Sequence, residues 1–168
     1  MRHLRYPQKP RKLWIDAICI DQESLEEREE QVAIMSRIYE NASRVVVWLG
    51  NGSEDSDLAM CQLAYLGRQV TLTKDNWLMS PPGAEEPHWC ESACSVPYSE
   101  GTWSAIARLL ERSWFSRIWI IQEIQLAAIG AIIQCGREQM LWSCFRSAVT
   151  CLWVSKSHND NDEICDAC

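Results

Sequence analysis

The sequence has no excess of positive charge and no long uninterrupted apolar run. Its 168 residues carry a formal net charge of −7, so we expect no nucleic-acid partner. The most apolar region, residues 114–135, is broken by Arg117 and Glu123 and falls short of the roughly 20 apolar residues of a membrane span. Arg and Lys recur after Met1 before any apolar signal-peptide core. We therefore expect a cytoplasmic protein without a membrane span.

Several familiar catalytic signatures are also absent. The sequence contains no Gly-rich phosphate loop, no H-E-x-x-H helix and no G-x-S-x-G elbow. These absences exclude the common kinase and hydrolase classes. No internal repeat is present either, which excludes a repeat architecture.

The cysteines number nine, an odd count that does not indicate a disulfide framework. In a reducing compartment free thiols behave as small buried hydrophobes, and we interpret five of them in this way: Cys19, Cys61, Cys135, Cys144 and Cys151. An alternative is a zinc site built from the H-x-C-x3-C stretch at residues 88–94 and the C-x2-C pair at 165–168. Because these spacings are not the usual paired knuckles, we expect no metal.

Residues 13–20 read as the first strand, since the stretch is almost continuously apolar, as in strands covered on both faces. Ser24, with Glu27 three residues later, matches a capping box and predicts a helix from about residue 25 to 41. That helix has an apolar stripe that includes Leu25 and Val32. A second β-rich run follows at 44–49. Strand, helix and strand in this order predict two adjacent parallel strands joined by a crossover.

Further elements follow from local spacing and turn residues. Helices are predicted at 57–68, 103–112, 113–126 and about 143–154, and a third strand at 129–135. A long irregular loop is predicted at 80–101, within an insertion at about 69–102. We expect one α/β domain over residues 1–154, with helices on both faces of a sheet that includes parallel strands, followed by a disordered tail at 155–168.

Two carboxylates mark the first predicted strand. Asp21 and Gln22 follow its end, where polar groups contact ligands in open parallel sheets. Asp16 lies within the strand, where a buried carboxylate needs a hydrogen-bond partner. The alternatives are that Asp16 is a structural anchor bonded to backbone N–H groups or to an Arg, and that Asp21 forms an Asx turn ahead of Ser24.

Glu123 is the charged residue of an otherwise apolar helical stretch. It follows Trp119 by four residues, so the carboxylate and the indole share one helix face. This pair could bind a sugar or a base. The alternative is that Glu123 pairs with Arg117 or points into solvent.

Several stretches in fixed order resemble the fungal heterokaryon incompatibility (HET) domain. They are LWIDAICIDQ, the ER-x2-QV-x2-M-x2-IY-x2-A pattern of residues 27–42, VVVWLG, RSWFSRIWIIQEI and the CG pair at 135–136. The resemblance covers about residues 1–150. The family's usual opening, a first strand with a Y-x-A-L-S-Y-x-W-G-like motif, has no match here, so the resemblance implies a domain incomplete at its N-terminus.

HET domains are similar in element order to Toll/interleukin-1 receptor (TIR) domains, so the resemblance implies a three-layer, flavodoxin-like sheet. Trp119 and Glu123 keep the spacing of the TIR W-C-x2-E motif, with Ile120 in place of the cysteine. The matching glutamate of enzymatic TIR domains supports cleavage of the nicotinamide glycosidic bond of NAD. By resemblance, Glu123 is the candidate catalytic residue, and Trp119, Asp16, Asp21 and Gln22 are candidate substrate-binding residues.

The resemblance implies a role in non-self recognition and regulated cell death. NAD would be a substrate in that role, with no cofactor required. The alternative function is a non-catalytic module that signals through self-association or through other death-signalling proteins.

Overall fold

The computed structural model describes residues 4–5, 8, 10–91, 95–117, 124 and 130–165, with the backbone alone for 156–165. The chain divides into two compact units. Unit 1 contains Met1–Val45 and Ile118–Ile129, and unit 2 contains Val46–Arg117 and Gly130–Cys168.

The described part of unit 1 contains two helices, α1 (Asp16–Cys19) and α2 (Leu25–Asn41). The predicted bounds of α2 and its Ser24 N-cap are confirmed, because the Ser24 side chain accepts a 3.2 Å hydrogen bond from the Glu27 N–H. The Glu27 carboxylate does not complete the capping box, since it accepts from the Asp21 N–H at 3.2 Å. This bond fixes the chain that enters the helix.

The prediction of a buried strand over residues 13–20 is wrong. Residues 16–19 form α1, and the N–H groups of Ile18 and Cys19 donate to the Ile15 carbonyl oxygen. Leu13 is 38% exposed and Ile18 is 62% exposed, so this stretch is not covered on both faces. A short apolar run has the same composition in a strand as in a helix, and its periodicity cannot separate the two.

The α2 stripe is not buried either. No residue of α2 is buried, and Leu25 and Val32 are each 66% exposed. On the inner side of the helix, the Tyr39 ring packs edge-on against Trp14, with ring centroids 6.1 Å apart.

Unit 2 contains a mixed sheet of three strands in the order β1 (Val46–Trp48), β4 (Ile132–Cys135), β5 (Glu138–Leu141). The strands predicted at 44–49 and 129–135 are therefore confirmed. β1 and β4 pair in parallel, with Val47 opposite Ile133. The predicted pairing of β1 with residues 13–20 is wrong, because residues 13–20 form no strand. β4 and β5 form an antiparallel hairpin that was not predicted.

Three helices build the core of unit 2: α3 (Glu54–Gln69), α4 (Glu100–Leu110) and α5 (Trp142–Cys165). α3 packs against α4, α5 and the sheet. The helices predicted at 57–68 and 103–112 are confirmed. The fully buried side chains include Leu63 and Leu66 of α3, Leu109 of α4 and Ile133 of β4. Burial of the three leucines explains the apolar spacing of α3 and α4.

The α/β class is confirmed by this arrangement of helices and a small mixed sheet. The described residues do not reproduce the order of elements expected for the three-layer, TIR-like sheet, because residues 13–20 contribute no strand to it. The helix predicted from residue 113 begins as a 3-10 turn at Ser113–Ser116, and most of its remainder lies outside the described residues.

The insertion is largely irregular, as predicted. It contains a small antiparallel hairpin of β2 (Thr71–Leu72) and β3 (Leu78–Met79) and a 3-10 turn at Pro87–Cys90. The Gln69 side chain fixes this segment to the end of α3, since its Oε1 accepts from the N–H groups of Glu85 and Glu86 at 2.8 and 3.1 Å. Trp89 is buried, so the segment contributes to the core.

α5 extends past Val154, where it was predicted to end, as far as Cys165. Residues 155–165, predicted to be disordered, are therefore helical. No Pro or Gly interrupts the sequence from 142 to 165, so nothing breaks the helical hydrogen bonding. Within the described residues, no helix is long and apolar enough to cross a membrane.

Candidate functional site

Three of the predicted substrate-binding residues lie close together around α1, since Asp16 is its first residue and Asp21 and Gln22 lie in the connection from α1 to α2. The Gln22 side-chain amide donates to the carbonyl oxygens of Asp16 and Ile20 at 3.1 and 3.2 Å. These bonds fold the connection back on α1. The structure thus brings Gln22 and its neighbour Asp21 back to the start of α1, although not at the end of a strand.

Both aspartates, Asp16 of α1 and Asp21 of the connection, accept hydrogen bonds from nearby backbone. Asp16 Oδ1 accepts from the Ala17 N–H at 2.7 Å, and Asp21 Oδ1 accepts from the Glu23 N–H at 3.0 Å. The second bond is the Asx turn given above as the alternative for Asp21. The bond to Asp16 comes from the N–H of the next residue, so the alternative that Asp16 is a buried structural anchor stays a prediction.

Glu123 and Trp119, the candidate catalytic residue and its aromatic neighbour, lie outside the described residues. The expected cleft that would join them to the Asp21–Gln22 turn therefore stays a prediction. The pairing of Glu123 with Arg117 stays an alternative.

Unit 2 has a second site-like feature, the edge at which the parallel strands β1 and β4 both end. The turns that follow the two strands meet there, since the Gly136 N–H donates to the Gly50 carbonyl oxygen at 2.8 Å. A Cβ at Gly136 would lie 2.6 Å from the Gly52 nitrogen, a distance that no side chain allows. Gly136 also has a φ of 56°, which favours glycine. The two turns are in backbone contact.

Arg112, which follows α4, bonds to the turn at this edge. Its Nη1 donates to the carbonyl oxygens of Leu49 and Asn51 at 2.8 and 3.0 Å. A guanidinium that bonds two carbonyls of one turn holds the backbone in place. This arrangement is structural, and the carbonyl oxygens that face Arg112 already have a donor.

The charge at this edge disfavours phosphate. α3 begins directly after the turn, and its first turn carries Glu54, Asp55 and Asp57. A helix N-terminus normally attracts anions, but three carboxylates there oppose a nucleotide's phosphates. The edge is therefore a weak candidate for an NAD site, although general rules for parallel sheets point to it.

The thiols only partly match their predicted burial. Cys135 and Cys151 are buried. Cys144 is half-buried, and this burial raises the pKa of the Cys144 thiol. Cys19 and Cys61 are exposed, so the prediction that they are buried is wrong. Cys19 belongs to the mispredicted strand, and Cys61 lies on the outer side of α3.

A metal site would need several ligands in one place. Across the part of the chain that the structure describes, no group of three or more His, Cys, Asp or Glu side chains could hold a metal ion. Cys94 and Cys168, two members of the alternative zinc set, lie outside that part.

Two tyrosines hold the insertion and its flank against α3. The Tyr98 hydroxyl donates to the Gln62 carbonyl oxygen at 2.9 Å, and burial raises the pKa of Tyr98. The Tyr65 hydroxyl donates to Glu85 Oε2 at 3.0 Å, and this bond to a carboxylate raises the pKa of Tyr65. Both hydroxyls therefore remain protonated at neutral pH and act as donors.

Sequence reasoning missed Arg112 and the contact between Gly136 and Gly52. Gly50, Asn51 and Gly52 directly follow the strand predicted at 44–49. Two glycines that flank Asn51 are a signal for close backbone approach. No local pattern could show that Arg112 is the residue that bonds this turn, because its partner Leu49 is 63 residues away.

Comparison with known families identifies the class of protein. The family model described as heterokaryon incompatibility protein (HET) matches residues 1–123. The match covers most of the 168 residues, and the chain belongs to this family. No solved structure matches the chain.

A curated relative is heterokaryon incompatibility protein 6, OR allele, of Neurospora crassa. It is 34% identical over 170 residues, which cover 92% of this chain and 25% of the relative. The chain thus spans about a quarter of the length of this relative.

Proposed function

We propose that this chain is a HET domain that acts in fungal non-self recognition and regulated cell death. The observation that carries the proposal is the family match over residues 1–123, supported by the Neurospora relative with heterokaryon incompatibility in its name. The domain contributes to the decision whether a fused cell containing two different nuclei survives.

The test uses the full-length protein in its fungus. Strains with the region that corresponds to residues 1–123 deleted are paired with incompatible strains, and death of the fused cells is scored with a vital dye. We expect the deletion to abolish or strongly reduce death. Unchanged death would show that the region is not needed for incompatibility.

For the chemistry, we propose NAD cleavage supported by Glu123. A fixed carboxylate stabilises the oxocarbenium-like ribose as its bond to nicotinamide breaks, and water then bonds to the ribose carbon and loses a proton, with no metal needed. The support is the spacing of Trp119 and Glu123 within the RSWFSRIWIIQEI stretch. The geometry of the described residues adds none, since Asp21 and Gln22 do not follow a strand of the sheet.

A Glu123→Gln variant tests the chemistry, because it keeps the size of the side chain and removes its charge. NAD loss is measured by chromatography with the full-length protein, and Glu111→Gln, the same change at an exposed residue, is the control. We expect Glu123→Gln to lose about a hundredfold in turnover, roughly 3 kcal/mol. Equal turnover in both variants would remove Glu123 from the chemistry.

A second candidate function is a non-catalytic module that acts by self-association. The exposed apolar side chains of α2 favour it, because a helix of 17 residues with no buried side chain gains little from packing within its own unit. A wild-type protein that kills fused cells without loss of NAD would support this candidate over the catalytic one.

A further inference from the structure

The exposed face of α2 carries side chains that can pair with the same side chains on a second copy of the helix. Leu25, Arg28, Glu29 and Val32 follow one another at spacings of i, i+3, i+4 and i+7, which places them on one side of the helix over two turns. All four are exposed. We call these four residues the α2 patch.

A two-fold axis through the middle of the α2 patch pairs opposite groups. In an antiparallel arrangement, Leu25 of one copy lies against Val32 of the other, and Arg28 lies beside Glu29 of the other. Each contact occurs twice, as an isologous interface requires. The antiparallel direction also places the two helix dipoles favourably.

We propose that a second copy of this chain docks on the α2 patch through this antiparallel helix pair. Each half of the resulting interface contains one apolar contact, between Leu25 and Val32, and one ion pair, between Arg28 and Glu29. Two-fold symmetry forms both contacts twice. This deepens the self-association candidate above and is independent of Glu123 and NAD.

The size of the patch sets the expected strength. Stable interfaces use about 20 to 30 residues on each side, so an interface centred on two turns of one helix is weak. Its charged part is screened by salt. We expect self-association of the isolated chain that rises with concentration and falls as salt is added.

Charge reversal gives a sharp test. Arg28→Glu places two carboxylates in the patch of every copy, and Glu29→Arg places two guanidinium groups there. Each variant alone repels its own copy, so sedimentation velocity should show a dissociation constant raised about tenfold or more. An equal mixture of the two variants restores both opposite-charge pairs, and its association should return to or exceed that of the wild type.

Control variants lie on other faces of the same helix. Arg37→Glu makes the same charge change on the opposite side of α2, and Ile34→Ser removes an exposed apolar side chain there. We expect wild-type association from both, whereas Val32→Ser should weaken it. Circular dichroism confirms that each variant keeps its helix content.

The outcomes separate this inference from the proposed function. Equal association of wild type and both reversal variants, or a mixture no tighter than either variant alone, overturns the α2 patch as the docking surface. That result leaves the incompatibility function intact, because cell death in paired strains is scored independently. A well-folded wild-type chain that stays monomeric at millimolar concentration and low salt also overturns the inference.

Discussion

The Nη1 atom of Arg112 donates a 2.8 Å hydrogen bond to the carbonyl oxygen of Leu49, across 63 residues of sequence. The bond joins Arg112, two residues after the end of α4, to the residue that follows β1. It fixes the end of β1, whose parallel partner β4 comes from a distant part of the chain. Arg112 therefore lies at a point where three distant segments are held together.

We expect Arg112→Ala to destabilise unit 2. The substitution removes the donors of the Leu49 and Asn51 carbonyl oxygens, at a cost of about 1 to 3 kcal/mol. Chemical denaturation of the purified chain measures it. Arg108→Ala is the matched control, because Arg108 forms an exposed ion pair with Asp55 at 3.3 Å, whose loss should cost less than about 1 kcal/mol. Equal losses in the two variants would contradict this role of Arg112.

Gly136→Ala should be more damaging. The new methyl group would lie 2.6 Å from the Gly52 nitrogen, and the φ of 56° disfavours any residue with a side chain. Overlap and backbone strain together should cost about 3 kcal/mol or more, visible as a lower thermal midpoint. Gly101→Ala is the control, since a Cβ at this α4 position would lie 3.8 Å from the Ser99 Oγ, an ordinary van der Waals contact, and stability should stay equal or rise slightly.

The cysteines should alkylate in an order set by burial. Cys19 and Cys61 are exposed and should react first, whereas Cys135 and Cys151 should react only when the chain unfolds. Cys144 should lag behind Cys61, because its raised pKa lowers the fraction of reactive thiolate. Peptide mapping after timed iodoacetamide exposure measures the order. Early labelling of Cys151 in folded protein would show that the core of unit 2 is not packed as described.

Tyr98 should make stability fall at alkaline pH. Its folded-state pKa is raised by burial, so the folded chain holds the phenol proton more tightly than the unfolded chain does. Below the unfolded pKa of about 10 the full contribution is present, and it is lost as pH rises from there toward the folded pKa. Urea denaturation at stepped pH measures the decline.

A Tyr98→Phe variant is the comparison for this pH dependence. It loses the hydrogen bond to the Gln62 carbonyl oxygen at every pH, about 1 kcal/mol, but its stability should decline less above pH 10. If stability declines equally with pH in the wild type and the variant, Tyr98 is not the group that causes the alkaline loss of stability.

Local signals in the sequence determined the helices α2, α3 and α4. The bounds of α2 follow from Ser24 and from helical spacing, and α3 and α4 follow from apolar residues three and four apart. Capping and amphipathic spacing act within a few residues, so the sequence alone contains them. The Asx turn of Asp21 is local for the same reason and was available as an alternative.

Strand partners and burial were decided only by the tertiary structure. An apolar run at 13–20 has the composition of a core strand, but whether it is one depends on a neighbouring strand to bond to, and β1 bonds to β4. Which arginine meets which carbonyl likewise depends on how distant segments pack, as with Arg112 and Leu49. The sequence by itself determined the α/β class, the helices α2 to α4 and membership of the HET family. Three features could not be predicted from the sequence: the order of strands, the exposed face of α2 and the contact between the turns at Gly136. They depend on how distant residues pack, which no local pattern encodes.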